Sequence, residues 1–144
     1  MMTHEQARQA FMTLIDSFDY LDQSLIFTQN QKMGNDQPFE PPEHGLWCEV
    51  SIQNAPSFIA SIGNKPCTRT VGNLIIQCFE RLNNDTVELT KLADAWIEHL
   101  QFKQISHLEI LQGSVINVGR VGDFLQGKSG DFYQFNVIFE YRIN

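Results

Sequence analysis

The chain has 144 residues, 42% of them hydrophobic, which is the size of one domain that buries roughly 70% of the surface of its unfolded form. Ten basic against 17 acidic side chains give a net charge of −7, which disfavours DNA or RNA binding as the main task because phosphates would not be neutralised. The sequence has no apolar run of about 18 residues and its beginning is polar, so we expect a soluble, cytosolic protein without a membrane partner.

The first predicted element is an amphipathic helix. Thr3 and Gln6 have the spacing of a capping box, in which Thr3 accepts from a first-turn N–H and Gln6 reaches back to the start of the helix. The apolar side chains follow one stripe at helical spacing: Ala7, Ala10, Phe11, Leu14, Ile15 and Phe18. Acidic residues then accumulate where the helix dipole is negative, so the helix is expected to end near Phe18 or Tyr20. We interpret these carboxylates as a solvated helix end rather than a cation site.

A short strand, a long loop and a second strand follow. Residues 25–28 are a strand candidate, and the segment 30–45 is polar and carries three prolines. A connection of that length in a compact domain is usually functional or disordered, and its prolines bias it toward an extended arm. Residues 47–52 alternate between apolar and polar side chains, as a strand with one buried face does.

The middle of the chain predicts a long strand and a second helix. Residues 68–80, "TRTVGNLIIQCFE", are rich in β-branched and aromatic side chains, and a shorter strand is considered at 58–62. Gly72 indicates a bulge or a close backbone neighbour. Residues 83–86 are expected to form a turn that supplies a helix cap, and His99 near the end of that helix is expected to have a structural role. The apolar stripe of this helix is Leu89, Leu92, Ala93, Trp96, Ile97 and Leu100.

Two more strands are predicted at residues 108–121 and 132–143. In the second, one face carries aromatic and β-branched side chains: Tyr133, Phe135, Val137, Phe139 and Tyr141. Each helix has one apolar side, so both are expected to pack on the same face of a sheet. The predicted fold class is α+β, with two helices packed on one face of a mostly antiparallel four- to five-stranded sheet, in a single domain over residues 1–144.

One motif suggests a different function. Residues 122–129, "GDFLQGKS", match the phosphate-binding pattern G-x-x-x-x-G-K-[ST]. A genuine phosphate loop needs a helix that begins at its Lys-Ser pair, here Lys128 and Ser129. The residues that follow alternate as a strand does, and Gly127 and Gly130 are typical of a chain reversal. We therefore interpret the motif as a hairpin tip and predict no bound nucleotide or other cofactor.

The cysteines and histidines form no recognisable catalytic or metal-binding pattern. Cys48, Cys67 and Cys78 contain no C-x-x-C pair and are expected to be buried free thiols. The histidines lack H-x-x-x-H spacing, and the sequence has no G-x-S-x-G elbow. A Cys–His pair assembled in space, from Cys48 or Cys67 with His44 or His107, stays open. We predict no catalytic residue, no metal site and no enzymatic activity.

Three blocks of sequence, taken in order, resemble one protein family. The first, "PFEPPEHGLWCEVSI" at 38–52, places prolines before Gly-x-Trp and a strand; the second is the strand at 68–80; the third, "INVGRVGD…GDFYQFNVIFEYR", is a strand pair linked through glycines. A helix precedes these blocks, and the second helix carries Leu92-Ala93-Asp94. From about Phe11 to Arg142 the chain is similar to the tail terminator proteins of long-tailed bacteriophages and prophages.

The resemblance implies a structural virion protein. Such proteins form a six-subunit ring on the finished tail tube, stop its polymerisation and present a surface to the head-completion protein. The implied partners are further copies of the chain, the tail tube protein and the head-completion protein, while DNA passes through the pore without specific binding. The implied location is the virion tail, assembled in the bacterial cytoplasm.

Two rival functions stay open at this point. A head–tail connector or another minor tail subunit would share the ring and contact different partners. From another class, a small cytosolic enzyme or ligand-binding domain would use an apolar pocket between helix and sheet.

Carried onto this sequence, the resemblance marks Pro42, Gly45, Trp47, Arg69, Gly72, Gln77, Phe79, Gly119, Val121 and Tyr133. The candidate contacts with other subunits or partners are Pro42, Trp47, Arg69, Gln77, Phe79 and Lys128. Trp47 is either core or a subunit anchor, since tryptophan is enriched where interfaces concentrate their energy. Arg69 is either a bidentate partner for a neighbour's carboxylate or a solvated strand residue.

Overall fold

The computed structural model describes residues 2–28, 45–56, 58–59, 68–81, 86–121 and 132–144. The described helices are α1 (His4–Asp16) and α2 (Val87–Leu100), with a 3-10 turn at Gln23–Leu25. The described strands are β1 (Ile26–Thr28), β2 (Leu46–Asn54), β3 (Phe58–Ile59), β4 (Thr68–Arg81), β5 (Gln104–Ile105), β6 (Leu108–Val121) and β7 (Phe132–Ile143). Neither helix is long and apolar enough to cross a membrane. The candidates Pro42 and Lys128 lie outside the described residues, as does nearly all of the loop predicted at 30–45.

The sheet is mixed and larger than predicted. Six strands are hydrogen-bonded in the order β1-β2-β4-β7-β6-β5, and β3 pairs with the N-terminal end of β4. β1 is parallel to β2, and the other pairs between described strands are antiparallel. The α+β class is confirmed, whereas the prediction of four to five strands undercounted them and did not include a parallel pair. A tight hairpin forces antiparallel pairing, but the long connection between β1 and β2 permits either direction.

Helix α1 begins where the capping box predicts. The Thr3 side chain accepts from the Gln6 N–H at 3.1 Å, and the Gln6 side chain accepts from the Thr3 N–H at 2.9 Å. Two N-terminal donors are thereby satisfied. The helix ends at Asp16, slightly before the predicted end, because the chain closes in a tighter turn in which the Phe18 N–H donates to the Ile15 carbonyl at 3.0 Å. The acidic residues beyond it are part of no metal-binding cluster in the described ranges.

Both helices pack against the same side of the sheet, which we call the helix face. Phe11 of α1 meets Tyr141 of β7 edge-on, with ring centroids 5.0 Å apart. Ile97 of α2 lies over Gly113 of β6, where an added Cβ atom would be 3.3 Å from the Ile97 side chain. The opposite side of the sheet therefore has neither of these helices on it.

The C-terminal ends of the two helices are joined to each other. Phe18 stacks on Trp96, with ring centroids 3.6 Å apart. The His99 Nε2 atom lies 2.7 Å from the Leu14 carbonyl and 3.1 Å from the Ser17 hydroxyl. Because a carbonyl only accepts, Nε2 carries the proton and donates to Leu14. His99 thus links α2 to the end of α1, which is the structural role predicted for it, and its Nε2 atom is not a base for Ser17.

The main core lies between the helices and the helix face. Val50, Ile76 and Val137 lie opposite one another on β2, β4 and β7 and are fully buried. Each such side chain contributes roughly 1.5–3 kcal/mol through its removal from water. The two apolar helix stripes predicted from the sequence are buried as well, with Leu14 and Ile97 partly exposed at their margins.

The conformation of the chain after the phosphate-loop motif tests how that motif is interpreted. Residues 122–131 lie outside the described residues, and the chain on either side of them is strand, with Val121 directly opposite Phe132. A phosphate-binding loop continues as a helix, whereas Phe132–Ile143 is a strand throughout. The strand prediction is confirmed, and residues 122–131 connect the two strands of an antiparallel pair.

Candidate assembly surface

The candidate contact residues that the structure describes lie on the side of the sheet opposite the helices, which we call the polar face. Trp47 and Phe79 are directly opposite each other on β2 and β4. Gln77 and Arg69 lie an even number of residues from Phe79 along β4, and alternate residues of a strand share a side. The fold therefore brings Trp47, Arg69, Gln77 and Phe79 to one face.

An aromatic cluster of Trp47, Phe79 and Phe132 lies at one end of the polar face. Trp47 stacks on Phe79 with ring centroids 4.1 Å apart, and the Phe132 ring meets them edge-on at 5.6 and 6.2 Å. All three side chains are buried, and Leu25 packs against them. The Arg81 guanidinium lies 4.5 Å from the centre of the Phe132 ring, in cation–π contact. In this structure Trp47 and Phe79 are therefore part of a small second core.

The rest of the polar face carries amide, hydroxyl and carboxyl side chains. Glu49, Gln77 and Asn136 lie opposite one another across β2, β4 and β7 and are half-buried. The next row along the same strands has two isoleucines, Ile75 and Ile138, at its centre. Neither described helix covers these rows, so the face presents hydrogen-bonding groups around a small apolar centre, as protein contact surfaces do.

Glu49 is an acidic group on the polar face whose ionisation the fold alters. Partial burial raises the pKa of its carboxyl above the ordinary value. The ionised carboxylate is therefore less favourable in the folded chain than in the unfolded chain. The corresponding stability is fully present below the pKa of the unfolded state and is lost as the pH rises through the pKa of the folded state.

We expect Glu49→Gln to raise the free energy of unfolding at neutral pH, by less than about 0.5 kcal/mol because the carboxyl is partly solvated. The gain should vanish near about pH 3, where the wild-type carboxyl is protonated in both states. Urea unfolding at the two pH values measures the difference, and Glu140→Gln, which removes an exposed carboxyl from the same face, is the control. A Glu49→Gln variant that is less stable than the wild type at neutral pH would contradict the assigned cost.

Two arginines of the polar face, Arg69 and Arg142, differ in their hydrogen-bond partners. Arg142 is paired with Glu109 across β6 and β7, with Nε 2.5 Å from the carboxylate. Arg69 lies opposite Phe58, and its buried Nε atom has no hydrogen-bond partner among the described residues. Because this atom is buried, it gives no support to Arg69 as a contact for another subunit, and that role stays a prediction.

A further exposed surface, which the sequence interpretation missed, lies at the outer edge of β6. Val115, Ile116 and Val118 are 42%, 49% and 45% exposed. Residues 114–117 and 119 pair with β7 on one side, with a register shift at Val118, and no described strand pairs with residues 114–119 on the other side. We call residues 114–119 the free edge. The sequence does contain a signal for it, because residues 110–119 include no charged residue and no proline, the usual protections of a strand edge.

A cleft of about 370 Å³ lies between α1 and the β2 side of the sheet. More of its lining surface is apolar than polar, and the polar lining includes Glu5, Arg8, Asn54 and Tyr141. The oppositely charged side chains of Arg8 and Glu5 bind each other at 2.6 Å, and the Tyr141 hydroxyl donates to Asn54. Burial raises the pKa of the Tyr141 hydroxyl above its ordinary value. The cleft therefore has the size and polarity for a small, largely apolar group.

Of the cysteine–histidine pairs considered from the sequence, only Cys48 with His107 lies within the described residues, and these two residues are far apart. Cys48 and Cys78 are buried free thiols, as predicted, with their sulfur atoms 3.8 Å apart on paired strands. Burial raises the pKa of the Cys78 thiol, the opposite of what a reactive cysteine needs. His107 is exposed between β5 and β6, and about 14 Å of sheet separates β6 from β2. Cys67 and His44 lie outside the described residues.

Comparison with known proteins establishes the fold and leaves the function open. The sequence matches no family model, and no curated protein matches it. One solved structure is similar over 100% of this chain and 97% of its own, with a TM-score of 0.64 and 13% sequence identity. The fold is therefore a known one. At this identity the similarity says nothing about activity, substrates or partners.

Proposed function

We propose that the chain is a structural virion protein of the tail terminator type, which forms a ring at the end of a phage tail tube. The proposal starts from the ordered sequence blocks that resemble this family, and the α+β fold agrees with the fold that the resemblance implies. The observation that carries the proposal is the one-sided packing of the sheet. Both helices lie on the helix face, so neither described helix covers the polar face or the free edge, and these are the surfaces that we propose for contacts with other proteins.

The long strands suit a subunit that has to hold its neighbours in a ring at a fixed angle. β4 and β6 have 14 residues each and β7 has 12, and they are neighbours in one sheet. A ring closes only if each subunit contacts the next through two unlike surfaces held at a fixed angle. A sheet braced by two helices keeps its edges and faces in such a fixed relation. The ring proposed has six subunits, the number that the resemblance implies.

The ring ends polymerisation by occupying the end surface of the tube, and its other side receives the head-completion protein. The amide groups of the polar face suit contacts of this kind, because an amide both donates and accepts hydrogen bonds. The net charge of −7 suits a pore through which DNA passes without binding. An assembled ring whose inner wall is lined by lysine and arginine would contradict this part of the proposal.

A second candidate function is favoured by the cleft beside α1, which has the volume of a small-molecule site. A ligand-binding domain would saturate with a small apolar compound in calorimetric titration, and Phe11→Ala in the cleft wall would abolish the heat of binding. A chain that binds none of a broad compound set and forms rings would exclude this candidate.

Tube growth in vitro tests the proposed function. The tail tube protein of the same phage or prophage is polymerised with and without this chain, and tube lengths are measured by electron microscopy. We expect growth to stop and a ring to be visible at one tube end. A head–tail connector would leave tube length unchanged, so continued growth in the presence of excess chain would contradict the terminator function.

A further inference from the structure

The hydrogen bonding along the outer edge of β6 changes at Gly113. Before this point the edge is bonded by the chain itself, because the Ile110 N–H donates to the Lys103 carbonyl at 2.8 Å and the Gly113 N–H donates to the Gln101 side chain at 3.0 Å. β5 pairs with the start of the same strand. Beyond Gly113, nothing in the described ranges continues this bonding. No described residue therefore occupies the outer backbone groups of the free edge, which are the groups that another strand would bond.

The exposed apolar side chains of the free edge lie on both sides of the sheet. Val115 is opposite Val137, on the helix face, and Ile116 is opposite Asn136, on the polar face. A helix or loop docked on one face would cover only one of them. A strand added at the edge continues the sheet, so its own side chains cover both. The pattern of exposure thus indicates a strand as the missing neighbour.

The charge distribution indicates which molecule supplies the added strand. Copies of a chain with a net charge of −7 repel one another over most of their surface. Residues 110–119 form an uncharged run, so two copies meet there without like charges opposed. Lysine or proline, which would keep copies apart, is absent from this run.

We infer that the free edge of β6 is the place where a second copy of this chain adds a β-strand, so that the sheets of neighbouring copies are continuous. The six residues span about 20 Å, the length of an ordinary strand. The inference rests on the proposed ring function, for which it names the contact between subunits. In a ring the added strand belongs to a different surface of the neighbour, because a head-to-tail contact joins two unlike surfaces.

The test replaces Ile116 and Val118 together by lysine. Both side chains are exposed in the single subunit, so the double variant should fold, and circular dichroism with thermal unfolding verifies that it does. Val87→Lys is the control for adding lysine at an exposed apolar position away from the edge, because Val87 is 52% exposed on α2. Sedimentation velocity from micromolar to millimolar concentration measures self-association, and electron microscopy scores each variant on tail tubes.

We expect the wild type and Val87→Lys to self-associate and the edge variant to do so at least about tenfold more weakly, because lysine blocks strand addition. Undiminished association of the edge variant would overturn the inference, as would a wild type that stays monomeric throughout.

The two proposals fail in different ways. An edge variant that caps tubes as well as the wild type refutes the subunit contact and leaves the terminator function standing. Loss of association without capping by any variant supports the contact and refutes the function. Ile116→Cys dimers linked by a disulfide would support the free edge as a contact and refute a head-to-tail ring, since they require two β6 strands to meet.

Discussion

Replacing Trp47 with alanine is expected to lower the free energy of unfolding by about 3–5 kcal/mol. The side chain is 2% exposed, stacks on Phe79 and meets Phe132 edge-on, so its truncation leaves a cavity in the centre of the aromatic cluster. Native domains are stable by only about 5–15 kcal/mol, so the loss is a large part of the total. Urea unfolding followed by circular dichroism measures it, with the fluorescence of Trp96 as a second probe.

Trp47→Phe is the matched control for this prediction. A phenyl ring still stacks on Phe79, so we expect less than half of the loss seen with alanine. If Trp47→Ala instead unfolds like the wild type but no longer self-associates, Trp47 is a subunit anchor and its assignment to a second core is wrong.

Gly72→Ala is expected to lower the free energy of unfolding by about 3 kcal/mol, the upper part of the range for overpacking. An added Cβ atom would overlap the Gln53 carbonyl oxygen and would lie 2.6 Å from the Tyr141 hydroxyl. The first of these belongs to the backbone of β2, so it has no rotamer to escape into, and β2 and β4 have to separate. We expect the melting temperature to fall by about 6–12 °C. The sequence indicated either a bulge or a close backbone neighbour at Gly72, and the structure contains the close neighbour.

Asn73→Ala tests whether any alanine at this point of β4 is harmful. The Asn73 side chain is half-buried on the polar face, and its removal should change stability by less than about 1 kcal/mol. A Gly72→Ala variant that melts with the wild type would show that the strands yield locally and that the contact is not rigid.

Most of the secondary structure could be predicted because it is encoded in local patterns. The capping box placed the start of α1, alternation placed β7, and both β6 and β7 were predicted at their observed bounds. These patterns depend on neighbours within a few residues, so one sequence suffices to detect them. The two-residue strand β5 and the parallel direction of β1 depend on pairing partners distant in the chain, which a local pattern does not contain.

The candidate surface was accessible from the sequence only in part. Trp47, Gln77 and Phe79 were placed on strands, but it is the register of β2 against β4 that brings them to one face and buries the two aromatic side chains. The free edge was missed because its strand was predicted without a position in the sheet. Whether a strand is central or at an edge is a property of strand order, and the exposure of Val115 and Ile116 follows from that order.

The most direct test of the account is an electron cryo-microscopy map of the chain bound to the end of a tail tube. We expect a closed ring of six copies on the tube end, in which the sheet of each copy continues into the next across residues 114–119. A ring whose subunits leave this edge in solvent would contradict the proposed contact, and a tube end without a ring would contradict the function itself.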